Sequence, residues 1–309
     1  MASWTASDIP AQRGRLAIVT GGTGGLGFET GLQLARAGAR VILAGRDSVK
    51  GAAAIAKIHP TTRADVRFEM LDLANLTSIK AFAERMQDET IDLLVNNAGV
   101  MTPPTRKVTV DGFELQFGTN FLGHFALTAL LLPHLRRGNQ PRVVTLSSFG
   151  ANSGKIDFDN LASERSYRPM VAYNQSKLAD LLFAFELERQ SEKNGWGIIS
   201  VAAHPGLART ELIPNGAGRD SMPARIARLV GPIVMQTPEQ GALPTLFAAT
   251  SLDAKGGGYY GPGGFGGIRG ATAPTRPPQD ALDADLAARL WARAQRLTGV
   301  TFEGEAPTA

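Results

Sequence analysis

The stretch Leu16-Ala17-Ile18-Val19-Thr20-Gly21-Gly22-Thr23-Gly24-Gly25-Leu26-Gly27 decides the fold. An apolar run ends in a turn crowded with glycine, and a helix-length segment, 26–37, follows at once. A short continuous apolar run bounded by turn residues reads as a strand buried on both faces. Strand, glycine turn and helix in that order put backbone N–H groups and the positive helix end where a pyrophosphate can sit. Glycine is needed because a Cβ would block the phosphates, or keep the helix off its strand. Alone, such a turn could equally be an ordinary tight turn, so the reading depends on what surrounds it.

The surroundings repeat the unit. Segments 40–44, 66–71, 91–95, 142–147 and 198–203 read as further buried strands, and 48–58, 76–88, 112–135 and 171–193 as helices between them. Strict β-α alternation implies an α/β fold, a Rossmann-type doubly wound parallel sheet covered by helices on both faces in three αβα layers. No repeat or linker interrupts it, so 1–309 is expected to form one dinucleotide-binding domain. Two segments break the rhythm, 207–237 and the Gly/Pro-rich 256–278.

Composition narrows the function. Of 309 residues none is cysteine, which excludes a disulfide scaffold, a cysteine nucleophile and thiolate metal sites. The net charge of +4 is mild and is not gathered into a basic run, so nucleic acid is not an expected partner. No apolar run approaches the roughly 20 residues needed to span a bilayer, and no signal-peptide pattern is present, so the expected location is the cytoplasm. The 35 glycines exceed the roughly 22 of average usage. The excess sits mainly in 20–27 and 256–270.

The second strand ends Leu43-Ala44-Gly45-Arg46. In such folds an acidic residue near this point holds the ribose hydroxyl of NAD, whereas arginine accommodates the phosphate of NADP. Here glycine occupies the acidic slot, with Arg46 next and Lys50 a helical turn later. A guanidinium fork matches a phosphate, so NADP(H) is favoured over NAD(H). Arg46 as a solvated surface residue, behind the helix N-cap Asp47, is the alternative.

Further along, Tyr173 and Lys177 are four apart near the start of a helical pattern and therefore share a face. A tyrosine ordinarily titrates near 10, too high for acid–base work at neutral pH, and a nearby ammonium favours the phenolate. The helix follows the fifth strand, whose carboxyl end carries Ser147-Ser148, and ligands of open α/β sheets bind at such ends. A Tyr-x-x-x-Lys pair alone is common; in this position it points to proton transfer.

With these residues in order, the chain resembles the short-chain dehydrogenase/reductase superfamily, and within it the retinol-dehydrogenase-like and WW-domain-oxidoreductase-like branch, over about 13–302. Thr20-Gly-x-x-x-Gly25-x-Gly27 is similar to the family's cofactor turn, with Gly21, Thr23 and Leu26 inside it. Asp72-Leu73 resembles the element beside the adenine, and Asn96-Asn97-Ala98-Gly99 the motif that supports the sheet and adenine pocket. Pro205-Gly206 with Thr210 resembles the turn that meets the nicotinamide carboxamide. The resemblance implies about seven strands in the order 3-2-1-4-5-6-7 and a catalytic tetrad of Asn120, Ser148, Tyr173 and Lys177. It implies hydride transfer between nicotinamide and a carbonyl or carbinol carbon. Tyr173 would move the proton, Ser148 hold the reacting oxygen, Lys177 support the tyrosine and hold the nicotinamide ribose, and Asn120 position a water. Adjacent strand residues face opposite ways, so either Ser147 or Ser148 faces the site; alignment to the motif favours Ser148. The 25-residue spacing from Ser148 to Tyr173 is long for the superfamily and matches this branch.

The expected activity is therefore NADP(H)-dependent interconversion of an alcohol and an aldehyde or ketone. An NAD-dependent alcohol or hydroxysteroid-type dehydrogenase, a double-bond reductase of the same superfamily and a non-catalytic dinucleotide sensor are the competing readings. The intact tetrad argues against the sensor. Segment 207–236 reads as a substrate lid with Met222, Ile226, Leu229 and Val230 inward and Arg219, Arg225 and Arg228 outward, suggesting a lipophilic substrate. In the C-terminal extension, 256–309, Tyr259-Tyr260 is expected in the last strand and 281–297 as a closing helix. His59, His124, His134 and His204 lack metal-ligand spacing and read as structural; Asp157 and Asp159 read as surface loop. No metal is expected. A homodimer or homotetramer is compatible with the resemblance.

Overall fold

A computed structural model describes residues 3–208 and 235–302. One eight-stranded sheet runs through it in the order β3-β2-β1-β4-β5-β6-β7-β8. The strands are β1 (Leu16–Thr20), β2 (Arg40–Gly45), β3 (Val66–Met70), β4 (Leu93–Asn96), β5 (Arg142–Leu146), β6 (Ile199–Ala203), β7 (Tyr259–Gly264) and β8 (Arg269–Pro274). All pair parallel except β7 with β8. The helices are α1 (Gly25–Arg36), α2 (Ser48–Ile58), α3 (Leu76–Arg85), α4 (Gly123–Leu135), α5 (Pro169–Asn194), α6 (Pro238–Thr250) and α7 (Ala284–Thr298).

Period-two alternation of β1 builds two cores. Leu16 and Ile18 join a cluster with Phe82, Phe125, Leu181 and Trp291, beneath α3, α4, α5 and α7. Ala17 and Val19 join Leu34, Ala54 and Leu246 beneath α1, α2 and α6. Helix α7 closes the first core by inserting Trp291, 5.8 Å from the Phe183 ring and 4.4 Å from Phe302. Local signals start the helices as expected: Asp47 caps α2 through Lys50 N at 3.0 Å, and Asn75 caps α3 through Thr77 N at 3.0 Å.

Three expectations change. The helix expected at 112–135 starts later, because Gly112 adopts φ +86 in a tight turn closed by a Val108–Glu114 bridge. Its entry, Phe117–Leu122, is wound as a π-helix. The sheet has eight strands rather than about seven, and Tyr259-Tyr260 begins the penultimate one. The Gly-rich 256–270 is largely a β-hairpin: Gly264 lies so close to β8 that a Cβ there would stand 2.8 Å from the Arg269 carbonyl, and Gly270 sits at φ +126. Those glycines hid the strand from a periodicity reading while permitting its pairing. Helix α6, which packs on α1, was also outside the expected pattern. Thr210 and nearly all of the expected lid, with Met222, Ile226, Leu229, Val230, Arg219, Arg225 and Arg228, lie outside the described residues. Among the described residues no helix is long and apolar enough to cross a membrane.

Candidate active site

The carboxyl ends of β1, β4, β5 and β6 converge on one rim of the sheet, where the expected site residues meet. At β1, the glycine turn presses α1 against the β4 turn. A Cβ on Gly27 would stand 2.4 Å from both Asn97 Nδ2 and the Gly21 carbonyl, and one on Gly21 would stand 3.0 Å from Ala98 Cα. Gly21 and Gly25 have φ +63 and +53, and Gly24 faces open space. The turn thus offers glycine backbone free of Cβ atoms at Gly24 and Gly25, at the N-terminus of α1, as the close approach of a pyrophosphate requires.

Thr20 fastens this cradle. Its hydroxyl accepts from the N–H groups of Asn97 and Ala98, both at 2.9 Å, and Asn97 Nδ2 donates to the Thr20 carbonyl at 2.6 Å. Beyond β2, Gly45 faces Thr23 and Phe68, and Arg46 and Lys50 are exposed beside it with no ion pair among the described residues. Asp72 turns the chain after β3, accepting from Ala74 N at 3.0 Å, and buried Leu73 lies under Gly123 at the start of α4. After β6, Pro205 lies with Ala208 and Leu26 against Gly241 of α6, while Gly206 (φ +65) lies against Pro262 and the Ile268 carbonyl of the β7–β8 hairpin. The set fits a nicotinamide dinucleotide on three counts: a glycine-rich cradle, exposed cations at the end of β2, and no carboxylate at Gly45.

The π turn carries Asn120, fully buried. Its Oδ1 accepts from Val100 N at 2.8 Å, and its Nδ2 donates to the Val100 carbonyl at 3.0 Å and to Ser176 Oγ at 2.9 Å. The Ser176 hydroxyl donates to the Tyr173 carbonyl at 2.8 Å within α5, so the Asn120–Ser176 bond ties the π turn to the helix turn that carries Tyr173. π turns interrupt helices where a group has to be re-aimed. Gly99 lies at this junction: a Cβ there would be 3.3 Å from Asn120 Oδ1 and 3.9 Å from Lys177 Nζ.

The two serines part ways. Ser147, buried, donates its hydroxyl to the Lys177 carbonyl at 2.7 Å and so braces α5 against β5. Ser148, half-buried, accepts from Gly150 N at 3.2 Å, which leaves its own proton available. Gly150 in turn lies against the Tyr173 ring, where a Cβ would be 3.3 Å from Cε1. Ser148 and Tyr173 therefore flank a single glycine.

Lys177 is buried with its ammonium donating to the Leu146 carbonyl at 2.9 Å and to Asp180 Oδ2 at 2.8 Å. Burial acts to lower this ammonium, but the Asp180 carboxylate and the Tyr173 phenol together outweigh it and hold it above its ordinary value. Asp180 is 1% exposed, and burial drives its carboxyl up to about 7 against the pull of Lys177. Its Oδ1 is buried with no hydrogen-bond partner.

His124, set aside from sequence, touches the site as a structural ligand. Burial pushes it down to about 3, so it is neutral, with Nδ1–H on the Asn120 carbonyl at 2.7 Å and Nε2 on the Thr20 hydroxyl at 2.9 Å. His204 is likewise pushed down by burial, to about 4, and accepts from Gly206 N at 3.2 Å. Asp157 and Asp159 lie in an exposed turn, apart from these residues. Sequence reading missed Asp180 and Ser176, and it placed Thr20 in the cofactor turn without its bracing of Asn97 and Ala98. The available signal for Asp180 was a carboxylate three residues after Lys177, on the same helical face, inside an apolar run. Among the described residues no group of His, Asp or Glu is arranged to hold a metal ion.

Comparison with known proteins places this geometry in context. A short chain dehydrogenase family model matches residues 15–217. The chain is 42% identical over 299 residues to a mouse polyprenol dehydrogenase, covering 94% of this chain and 86% of that protein. It is 41% identical over 303 residues to human retinol dehydrogenase 13, covering 96% and 86%. A crystal structure of an uncharacterised protein from Mycobacterium paratuberculosis aligns with a TM-score of 0.81 and 40% identity, covering 97% of this chain and 99% of that one.

Proposed function

The chain belongs to the short-chain dehydrogenase family, in its retinol-dehydrogenase-like branch, and on that premise we propose an NADP(H)-dependent enzyme that interconverts a lipophilic alcohol and its aldehyde or ketone, with Tyr173 as general acid and base. The family assignment makes it an NAD(P)-dependent oxidoreductase acting on alcohol and carbonyl groups. The observation that carries the finer reading is the convergence of Tyr173, Ser148, Lys177 and Asn120 on the rim beside the glycine-rich cradle. The bound nicotinamide supplies or accepts the hydride.

The hydrogen bonds of Ser148, Lys177 and Asn120 support the tasks assigned to them. Ser148 keeps a donor proton for the substrate oxygen, because the hydrogen bond its hydroxyl makes to Gly150 N–H is one it accepts. Tyr173 delivers the proton to that oxygen in reduction and removes it in oxidation. The Lys177 ammonium, with one proton left after its two hydrogen bonds, stabilises the phenolate form and holds the cofactor ribose. Asn120 spends both side-chain amide protons on Val100 and Ser176, and its backbone carbonyl, beside His124 Nδ1, is assigned the relay water. Arg46 and Lys50 receive the additional phosphate that separates NADP from NAD, the guanidinium offering the matching fork. The alcohols in the relatives' names, polyprenol and retinol, support a long apolar substrate. A cytoplasmic location belongs to the same proposal, and cell fractionation tests it.

The deciding experiment is a panel of long-chain and isoprenoid aldehydes and alcohols with NADPH and NADH, run on wild type and Tyr173→Phe. Turnover should favour NADPH and fall by about 10²–10⁴-fold in the variant. Undiminished turnover in Tyr173→Phe would remove the tyrosine from its role.

A further inference from the structure

We infer that Asp180 is a positioning residue that sets how strongly Lys177 acts on Tyr173, a counter-charge built into the same helix. The inference rests on the assignment of Tyr173 and Lys177 above. Residues 173, 177 and 180 lie along one face of α5, and the middle one is a buried ammonium. Asp180 Oδ2 takes one of its protons at 2.8 Å, and the Leu146 carbonyl takes a second at 2.9 Å. These two contacts aim the head of a flexible side chain at the rim, where Gly99 and Asn120 stand. Without them a lysine on a four-carbon stem has several rotamers to choose from.

The pair also fixes the local field. A lone ammonium beside Tyr173 stabilises the phenolate; an ammonium with a carboxylate at 2.8 Å is largely neutralised as seen from further away. Asp180 lies seven residues from Tyr173, about 10 Å along the helix axis, and opposes the lysine there. The other ionisable groups around the pair, among the described residues, do not vary near neutrality. His124 on α4 is neutral down to about 3, and Tyr259 on β7, bonded to Ser147, is kept protonated by burial. Leu93–Asn96 of β4 and 143–146 of β5 present no ionisable side chain at this level. The orphaned Oδ1 marks a carboxylate whose surroundings satisfy only the oxygen turned to the lysine. Asp180 bearing a proton would free the full charge of Lys177, and Asp180 ionised would temper it.

Spectrophotometric titration of the tyrosinate absorbance in the cofactor-free protein tests this, with Tyr173→Phe subtracted to isolate the one phenol. Asp180→Asn keeps the shape and removes the charge; its Tyr173 midpoint should fall by about one pH unit, the effect of a unit charge some 10 Å away at an effective dielectric near 20. Asp180→Ser should shift it likewise, and thermal melting verifies that both are folded. With an accepted alcohol substrate, the ascending limb of the kcat/KM profile should move to lower pH by the same amount. A Tyr173 midpoint identical in wild type and both folded variants would overturn the inference. Undiminished turnover in Tyr173→Phe would instead overturn the assignment of the tyrosine, leaving the titration result standing.

Discussion

The neutral, buried His124 makes stability depend on acidity in a way that can be worked out. Its native value is about 3, against an ordinary value near 6.5 in the unfolded chain. A folded value depressed in this way contributes stability that is complete above pH 6.5 and is lost as pH falls, because the unfolded chain binds the proton first. Between pH 7 and pH 5 the loss is about 1.4 kcal/mol per unit below 6.5, hence about 2 kcal/mol. For a chain of 309 residues the entropy of unfolding makes this roughly 3 °C of melting temperature. His124→Gln removes the titration while keeping a hydrogen-bonding side chain between Thr20 and Asn120. At pH 7 the variant should be less stable by about 1–3 kcal/mol, for the buried groups left imperfectly paired. Its melting temperature should nevertheless fall by about 3 °C less than that of wild type between pH 7 and pH 5, with His204 and Asp180 common to both proteins. Melts followed by circular dichroism at the two pH values give the comparison, and imidazole resonances assigned by difference from the variant report the protonation directly. Equal acid sensitivity in the two proteins, or a His124 midpoint near 6.5 in the folded state, would refute the reasoning.

Gly27→Ala forces a Cβ to 2.4 Å from Asn97 and the Gly21 carbonyl, and should cost about 1–3 kcal/mol and abolish NADPH binding. Gly24→Ala, at φ −169 with open space around it, should melt within about 1 °C of wild type, so calorimetric binding of NADPH to it reads the cradle alone. Trp291→Ala empties the contact of α7 with Phe125, Phe183 and Phe302; a loss of about 3–5 kcal/mol, measured by thermal melting, is expected. Arg46→Ala should weaken NADPH by about tenfold or more while leaving NADH unchanged, as measured by isothermal titration. An unaltered ratio would release Arg46 from phosphate recognition.

The alternation of apolar runs with helical stretches was sufficient for the α/β fold, and the six parallel strands from 16 to 203 were readable to within about two residues, since a buried strand is a local, continuous signal. So was the glycine turn, because the absence of a Cβ is a property of each residue by itself, and so was the shared face of Tyr173 and Lys177, which helical spacing alone dictates. What sequence left open depended on contacts between distant segments. Ser147 and Ser148 are chemically identical neighbours; only the Lys177 carbonyl, 30 positions on, separates the brace from the free donor. The eighth strand, Arg269–Pro274, was invisible because its short side chains and Gly270 carry no period-two apolar pattern, and it exists through pairing with Tyr259–Gly264. Asp180 read as one more helix residue until burial removed its solvent and left Lys177 as its sole hydrogen-bond partner among the described residues. Local chemistry determined which residues could do the work. The packed sheet decided their protonation, their partners and their aim, because desolvation and hydrogen bonding are properties of neighbours that the chain order does not list.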